Sequence, residues 1–324
     1  MPEPEVLSLV EFEDTPPGHR SGFVAVVGKP NVGKSTLMNA LLGEKVAIVS
    51  KKPQTTRTQI RGILTRPDAQ IVFVDTPGIH KPRHRLGQAM VQAAIQSIPD
   101  ADVVLFVVDS TEAPDAGDRH IARLVRERGE DRPVILALNK MDRLRPDQVK
   151  AHTEAHWALA PTPEGGAPPE PWDWMMISAT QIVNLDKLVD RIVAHLPEGP
   201  RYYPPDQITD QGERDIAAES IREQALRHLR QEVPHAVAVV IEEHEERSAT
   251  LDYIAATIVV EKDSQKGILI GKGGRTLRQI GADARHEIER ILGKQVYLEL
   301  QVKVRKNWRE DERELRRLGY ASEQ

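Results

Sequence analysis

The stretch FVAVVGKPNVGKSTLMNALLG, residues 23–43, decides the fold. Its first five residues carry no polar side chain, as expected of a strand covered on both faces. Gly28-Lys-Pro-Asn-Val-Gly33-Lys34-Ser35 follows and fits the spacing GxxxxGK[S/T], and Leu37, Ala40 and Leu41 then fall on one helical face. Strand, glycine loop and helix in that order make a nucleotide phosphate cradle. The glycines let backbone N–H groups curl around phosphate oxygens without Cβ interference, and the helix N-terminus adds a favourable dipole. Average composition produces the pattern in roughly one chain in a hundred of this length, so chance is a poor explanation. The phosphate-binding candidates are Gly28, Asn31, Val32, Gly33, Lys34, Ser35 and Thr36. Lys34 supplies a point charge to the β- and γ-phosphates, and the Ser35 hydroxyl is a ligand for Mg²⁺.

Outward from this stretch the apolar runs QIVFVD, VVLFVVD, RPVILALNK and WMMIS alternate with amphipathic segments up to about Leu196. That rhythm predicts an α/β, doubly wound, mostly parallel sheet with helices on both faces, whose ligands sit at the carboxyl ends of the strands. QIVFV ends in Asp75-Thr76-Pro77-Gly78. The carboxylate there can hold magnesium through water, and the Gly78 N–H can approach a γ-phosphate. Between the two motifs lies the polar stretch Pro53-Gln54-Thr55-Thr56-Arg57. A threonine hydroxyl from it can complete the magnesium shell only when a γ-phosphate is present, as in a nucleotide switch. Thr55 and Thr56 are both candidates, with Thr56 preferred.

VILAL runs into Asn139-Lys140-Met141-Asp142. A carboxylate at Asp142 can accept from both N1–H and the N2 amine of guanine, donors that adenine lacks. Because buried carboxylate oxygens left unpaired are costly, that pair of bonds discriminates strongly. The Lys140 stem covers the ring, Asn139 ties this loop to the phosphate loop, and the backbone at Ser178 and Ala179 receives the guanine oxygen.

The chain has 324 residues, enough for two domains, and no cysteine, which excludes disulfides, thiolate metal sites and cysteine nucleophiles. No run is long and apolar enough to span a membrane, and the N-terminus lacks the pattern of a secretory signal. Residues 1–20 read as a flexible tail and 160–171, APTPEGGAPPEP, as a surface loop insertion. The expected domains are 21–198, a linker over 199–212 where HLPEGPRYYPPDQITD breaks the periodicity, and 213–324. The second unit reads α-β-β-α-α-β, with a glycine loop Gly271-Lys272-Gly273-Gly274 joining two helices and a strand from Gln295 to Arg305 alternating apolar and polar residues. Net charge is −5 overall, but Lys262–Arg309 holds twelve basic and five acidic residues, so this segment is +7 and the remainder −12. A basic segment around a glycine loop is the electrostatic footprint of a nucleic-acid binder.

Taken together, GKPNVGKS, PQTTR, DTPG, NKMD and SAT resemble the Ras-like GTPase superfamily, and GKPNVGKSTLMNAL, PQTTR and DTPGIH are similar to its Era branch. The resemblance runs from about residue 21 to the C-terminus. The second unit resembles a type II KH domain, an α+β unit whose glycine loop clamps about four nucleotides of single strand. The residues matching that clamp are Ile270, Gly271, Lys272, Gly273, Gly274 and Arg275, although core packing also accounts for Ile270 and Ile280. The resemblance implies a Mg²⁺-dependent GTPase that binds 16S ribosomal RNA, not DNA, and assists maturation of the small (30S) subunit. It also implies a cytoplasmic location with peripheral contact at the inner membrane face. Ile79 stands where Ras-like enzymes place a water-orienting glutamine, which implies slow intrinsic turnover. Asn31 resembles the asparagine with which related GTPases hold potassium, implying K⁺-stimulated hydrolysis. His80 and His84 are expected to be loop histidines rather than general bases. Two other readings use the same residues: a GTPase docking a protein or membrane, and an RNA-binding module whose nucleotide is structural.

Overall fold

In a strand such as Phe23–Val27, successive side chains point to opposite sides, so both sides need cover. A computed structural model describes residues 15–320 other than 51, 53, 54, 130, 161–171, 231 and 232. In it this run belongs to β1 (Arg20–Val27), at the centre of a six-stranded sheet. The other strands are β2 (Ile60–Thr65), β3 (Ala69–Asp75), β4 (Val103–Asp109), β5 (Val134–Asn139) and β6 (Asp173–Met176), in the order β2-β3-β1-β4-β5-β6. Val24 and Val26 join a core with α1 (Lys34–Leu42) and α5 (Leu185–His195). Ala25 and Val27 join a second core with α2 (Arg85–Gln96) and α3 (Ala116–Gly129) on the opposite face. A further helix, α4 (Val149–Trp157), precedes β6. The tail up to residue 14, the insertion over 161–171, and Pro53 and Gln54 lie outside the described residues.

Strand β2 is absent from the apolar runs read above, because IRGILT is short and interrupted by Arg61 and Gly62. It pairs antiparallel with β3, from Ile60 opposite Asp75 to Thr65 opposite Gln70, and among the described residues it is the sheet's one antiparallel member. The segment after α5 does not hang free. Gln70, buried on β3, accepts at Oε1 from Tyr202 N and Tyr203 N and donates its amide to Tyr203 O. Ile63 N donates to Ile208 O, Thr209 Oγ1 donates to Arg61 O at 2.7 Å, and Thr209 bridges Gly62. The linker is thus laid along the open edge of β2.

The second unit runs α6 (Glu213–His228), β7 (Ala238–Ser248), β8 (Leu251–Val260), α7 (Asp263–Ile270), α8 (Arg275–Leu292), β9 (Gln295–Val304) and α9 (Glu312–Arg317). Its sheet is β7-β8-β9, with β8 antiparallel to β7 and parallel to β9. Helix α8 shows why: Ile280, Ala284 and Ile288 recur every fourth residue and are all buried in a core shared with α6 and the sheet, while most of its remaining positions are polar. Strand β7 starts two residues later than the apolar pattern suggests because Val233–Ala236 forms a 3-10 turn. Among the described residues no helix is long and apolar enough to cross a membrane.

Candidate functional site

The loops leaving β1, β3, β5 and β6 meet over one cleft of about 430 Å³, lined by residues from Pro30 to Thr180. Gly33 closes the phosphate loop with φ 104°, and a Cβ there would lie 2.4 Å from Asn139 Nδ2, so only glycine fits. Lys34 is 6% exposed. Its ammonium donates to Gly28 O at 3.1 Å and Lys29 O at 2.9 Å. Burial pulls its pKa down to about 8, partly opposed by the Asp75 carboxylate.

Asp75, wholly buried at the end of β3, has its pKa raised by that burial, against the pull of Lys34 and its hydrogen bonds. Its Oδ2 accepts from Ser35 Oγ at 2.6 Å and Thr56 Oγ1 at 3.3 Å, and the two hydroxyls are 2.9 Å apart. Oδ1 is buried and has no hydrogen-bond partner among the described residues. Two hydroxyls and a carboxylate with a spare lone pair are the hard oxygen donors that Mg²⁺ takes, so these residues fit the ion. Thr55 is placed otherwise: its hydroxyl donates to Lys52 O at 2.8 Å. Thr76 Oγ1 donates to Val26 O, and Ile79 N donates to Gly28 O, tying the Asp75–Gly78 loop to the phosphate loop. The Ile79 side chain is buried in the second core and cannot hold a water by hydrogen bonding. His80 Nδ1 lies 2.8 Å from Gly78 O, and His84 Nδ1 accepts from Gly87 N to cap α2. Both rings have local structural work.

At the other end, Asn139 Nδ2 donates to Val32 O at 2.9 Å and its Oδ1 accepts from Ala179 N at 3.0 Å, locking three loops together. Lys140 Nζ is held by Asn31 O at 2.8 Å and Asp109 Oδ2 at 2.5 Å, which stretches its stem across the cleft. Ser178 Oγ donates to Asp142 Oδ1 at 2.5 Å, and the Asp142 residue is exposed. Asp109 and the Ser178 hydroxyl are contributors that sequence reasoning missed. An aspartate ending β4, beside the strand that ends in Asn139, was the available signal.

The second candidate surface surrounds the loop between α7 and α8. Lys272, Gly273 and Arg275 are exposed, and Arg278 braces the loop by donating to Gly273 O at 2.7 Å. Ile280 is fully buried, a core residue, and Ile270 packs partly against the same core. Ile268, not singled out from the sequence, is 52% exposed on α7. It falls off the Gln265–Leu269 buried face, which an i, i+4 count would have shown. The +7 charge is also not uniformly available. Arg285, Arg290, Lys294, Lys303, Arg305 and Arg309 each pair with a carboxylate within 4.0 Å. Among the described residues no carboxylate pairs with Lys262, Lys266, Lys272, Arg275, Arg278 or Lys306, and five of these six cluster at the N-cap of α7, on α7, in the loop and in the first turn of α8.

Fold and cleft define a Ras-like GTPase domain followed by a KH domain. Residues 23–140 match the family described as "50S ribosome-binding GTPase", and residues 232–309 match the KH domain family. The chain is 49% identical to GTPase Era of Nostoc sp. over 97% of its length and 94% of that protein. It is 48% identical to GTPase Era of Heliobacterium modesticaldum over 93% of its length and 97% of that protein. A crystal structure of Era in complex with MgGDPNP and nucleotides 1506–1542 of 16S ribosomal RNA superposes with a TM-score of 0.87 at 42% identity. The match covers 94% of this chain and all of that one. A variant of Aquifex aeolicus Era bound to GDP and AlF4⁻ gives the same figures. The chain belongs to the Era GTPase family.

Proposed function

We propose that this Era-family GTPase uses GTP binding and hydrolysis to switch an RNA clamp that holds the 3′ region of 16S ribosomal RNA, and so assists maturation of the small ribosomal subunit. The observation that carries the reading is the similarity along 94% of the chain to an Era structure that holds a GTP analogue and that RNA together. The phosphate loop, Gly28 and Asn31–Thr36, cradles the phosphates, with the Gly78 N–H facing the γ-phosphate. Ser35, Thr56 and Asp75 hold magnesium, which when bound neutralises charge developing on the phosphate oxygens. Thr56 rather than Thr55 takes this role because its hydroxyl already lies beside the Ser35 hydroxyl and the Asp75 carboxylate. Thr76, Pro77 and Ile79 move with the switch, and Asn139, Lys140, Asp142, Ser178 and Ala179 select guanine. Ile270, Gly271, Lys272, Gly273, Gly274 and Arg275 hold the RNA, helped by Ile268. The units run 21–198, 199–212 and 213–324.

Asn31, in a left-handed conformation (φ 65°) on the wall of the cleft, is assigned to potassium stimulation of hydrolysis. Equal rates in KCl and NaCl at matched ionic strength contradict that part alone. The protein works in the cytoplasm, and its contact with the membrane is peripheral. The central test is binding of a fluorescent RNA carrying the 3′ end of 16S ribosomal RNA, with a scrambled RNA as control, in the GTP-analogue and GDP states. The reading expects preference for the authentic RNA and different affinity in the two states. Equal affinity in both states refutes the switch.

A further inference from the structure

The sequence places the stretch around Thr56 in the GTPase half, yet its side chains are held by the KH half. Arg57, next to Thr56, is 5% exposed. Its guanidinium donates to Val237 O at 2.6 Å and His235 O at 3.0 Å, between α6 and β7. It also lies over the rings of Trp308 and Tyr320, 5.7 and 5.6 Å from their centroids. From α6, fully buried Arg222 donates to Thr55 O, and Lys52 donates to Leu226 O and Leu229 O at that helix's C-terminal end. Thr55 to Arg57 is therefore gripped from both sides by the second domain, and Thr56 Oγ1 points the other way, into the magnesium set.

We infer that Arg57 is a positioning residue for the GTP-bound state: by fastening the backbone beside Thr56 to the KH domain, it holds the Thr56 hydroxyl where it can meet magnesium. A buried guanidinium answered by two carbonyls and two ring faces is costly to leave half-satisfied, so the grip is tight when the KH domain is seated and lost when it is not. A ligand that shifts the second domain changes the fraction of molecules with Thr56 in place, and apparent affinity for the γ-phosphate state scales with that fraction. GDP has no γ-phosphate to call on Thr56 and is indifferent. The inference rests on the assignment of Thr56 to magnesium given above.

The test uses the full chain with fluorescent GDP and a fluorescent non-hydrolysable GTP analogue, each titrated at several Mg²⁺ concentrations. Arg57→Ala is expected to weaken the analogue about 10-fold and to raise the Mg²⁺ needed for it, with GDP affinity unchanged. Arg57→Lys does not rescue, because an ammonium lacks the fork that reaches both carbonyls. Trp308→Leu, altering the same pocket from the KH side, reproduces the selective loss to a smaller degree and carries the test if Arg57→Ala does not fold. Equal losses for both nucleotides, or no loss for either, overturn the inference. Thr56→Ala separates the two readings. If it impairs the analogue while Arg57→Ala does not, the positioning role falls and the magnesium assignment stands. If Thr56→Ala itself changes nothing, the assignment falls and takes the positioning role with it.

Discussion

The cleft and the glycine-loop face both present positive charge, but they are built in opposite ways. In the cleft a single cation, Lys34, is buried and its charge is strained by desolvation, with pKa brought down to about 8. Around Gly271–Gly274 several cations stand in solvent on one helix-loop-helix segment, with their positions set by the helices and not by burial. A buried point charge concentrates binding in one residue and makes it sensitive to protons. An exposed group spreads binding over many residues and makes it sensitive to salt.

Removing the buried charge tests this contrast most severely. Lys34→Ala is expected to weaken GTP binding by roughly 100-fold or more, the scale of losing one preorganised donor to a phosphate-like oxyanion. Fluorescent-nucleotide titration reads it, and a loss below tenfold would remove the distinction between the two surfaces. Next comes pH. Phosphates favour protonated Lys34, so its pKa is higher in the complex than the value near 8 of the free protein. Affinity is then level below that value and falls as pH rises through it, by up to about tenfold per unit. A flat profile from pH 7 to 9.5 contradicts a strained lysine. On the RNA side Lys272→Ala is expected to cost about three- to tenfold and to lower the slope of log affinity against log salt by about one. Smallest of all, Arg290→Ala leaves RNA affinity and salt slope unchanged, since its charge is already spent on Glu287 at 3.1 Å. If both variants change the slope alike, the free cations are not the ones that count.

The two surfaces were also unequally legible in the sequence. Phosphate-loop residues are fixed by a local spacing, because glycine loop, lysine and serine act within one turn of the chain, and NKMD works the same way. The KH face depends on context: which cations are free is decided by carboxylates from distant elements, such as Glu246 for Lys294 and Glu261 for Arg309. Strand β2 escaped because an antiparallel edge strand needs no long apolar run when one side meets helix α1 and its edge meets the linker. The grip on Arg57 was invisible for a similar reason. Its partners Val237 and Trp308 are 180 and 251 residues away and offer a backbone carbonyl and a ring face, neither of which leaves a mark in composition.

The linker laid along β2 protects the molecule from its own kind. A six-stranded sheet ending in a bare antiparallel strand offers a row of unpaired N–H and C=O groups to any second copy, the route by which sheets add strands and precipitate. Ile208 and Thr209 occupy part of that row. A fragment of the first half cut where the last helix ends would expose it. A fragment carried through Asp210 takes its own cover along, including the ion pair from Asp210 to Arg61 at 2.7 Å.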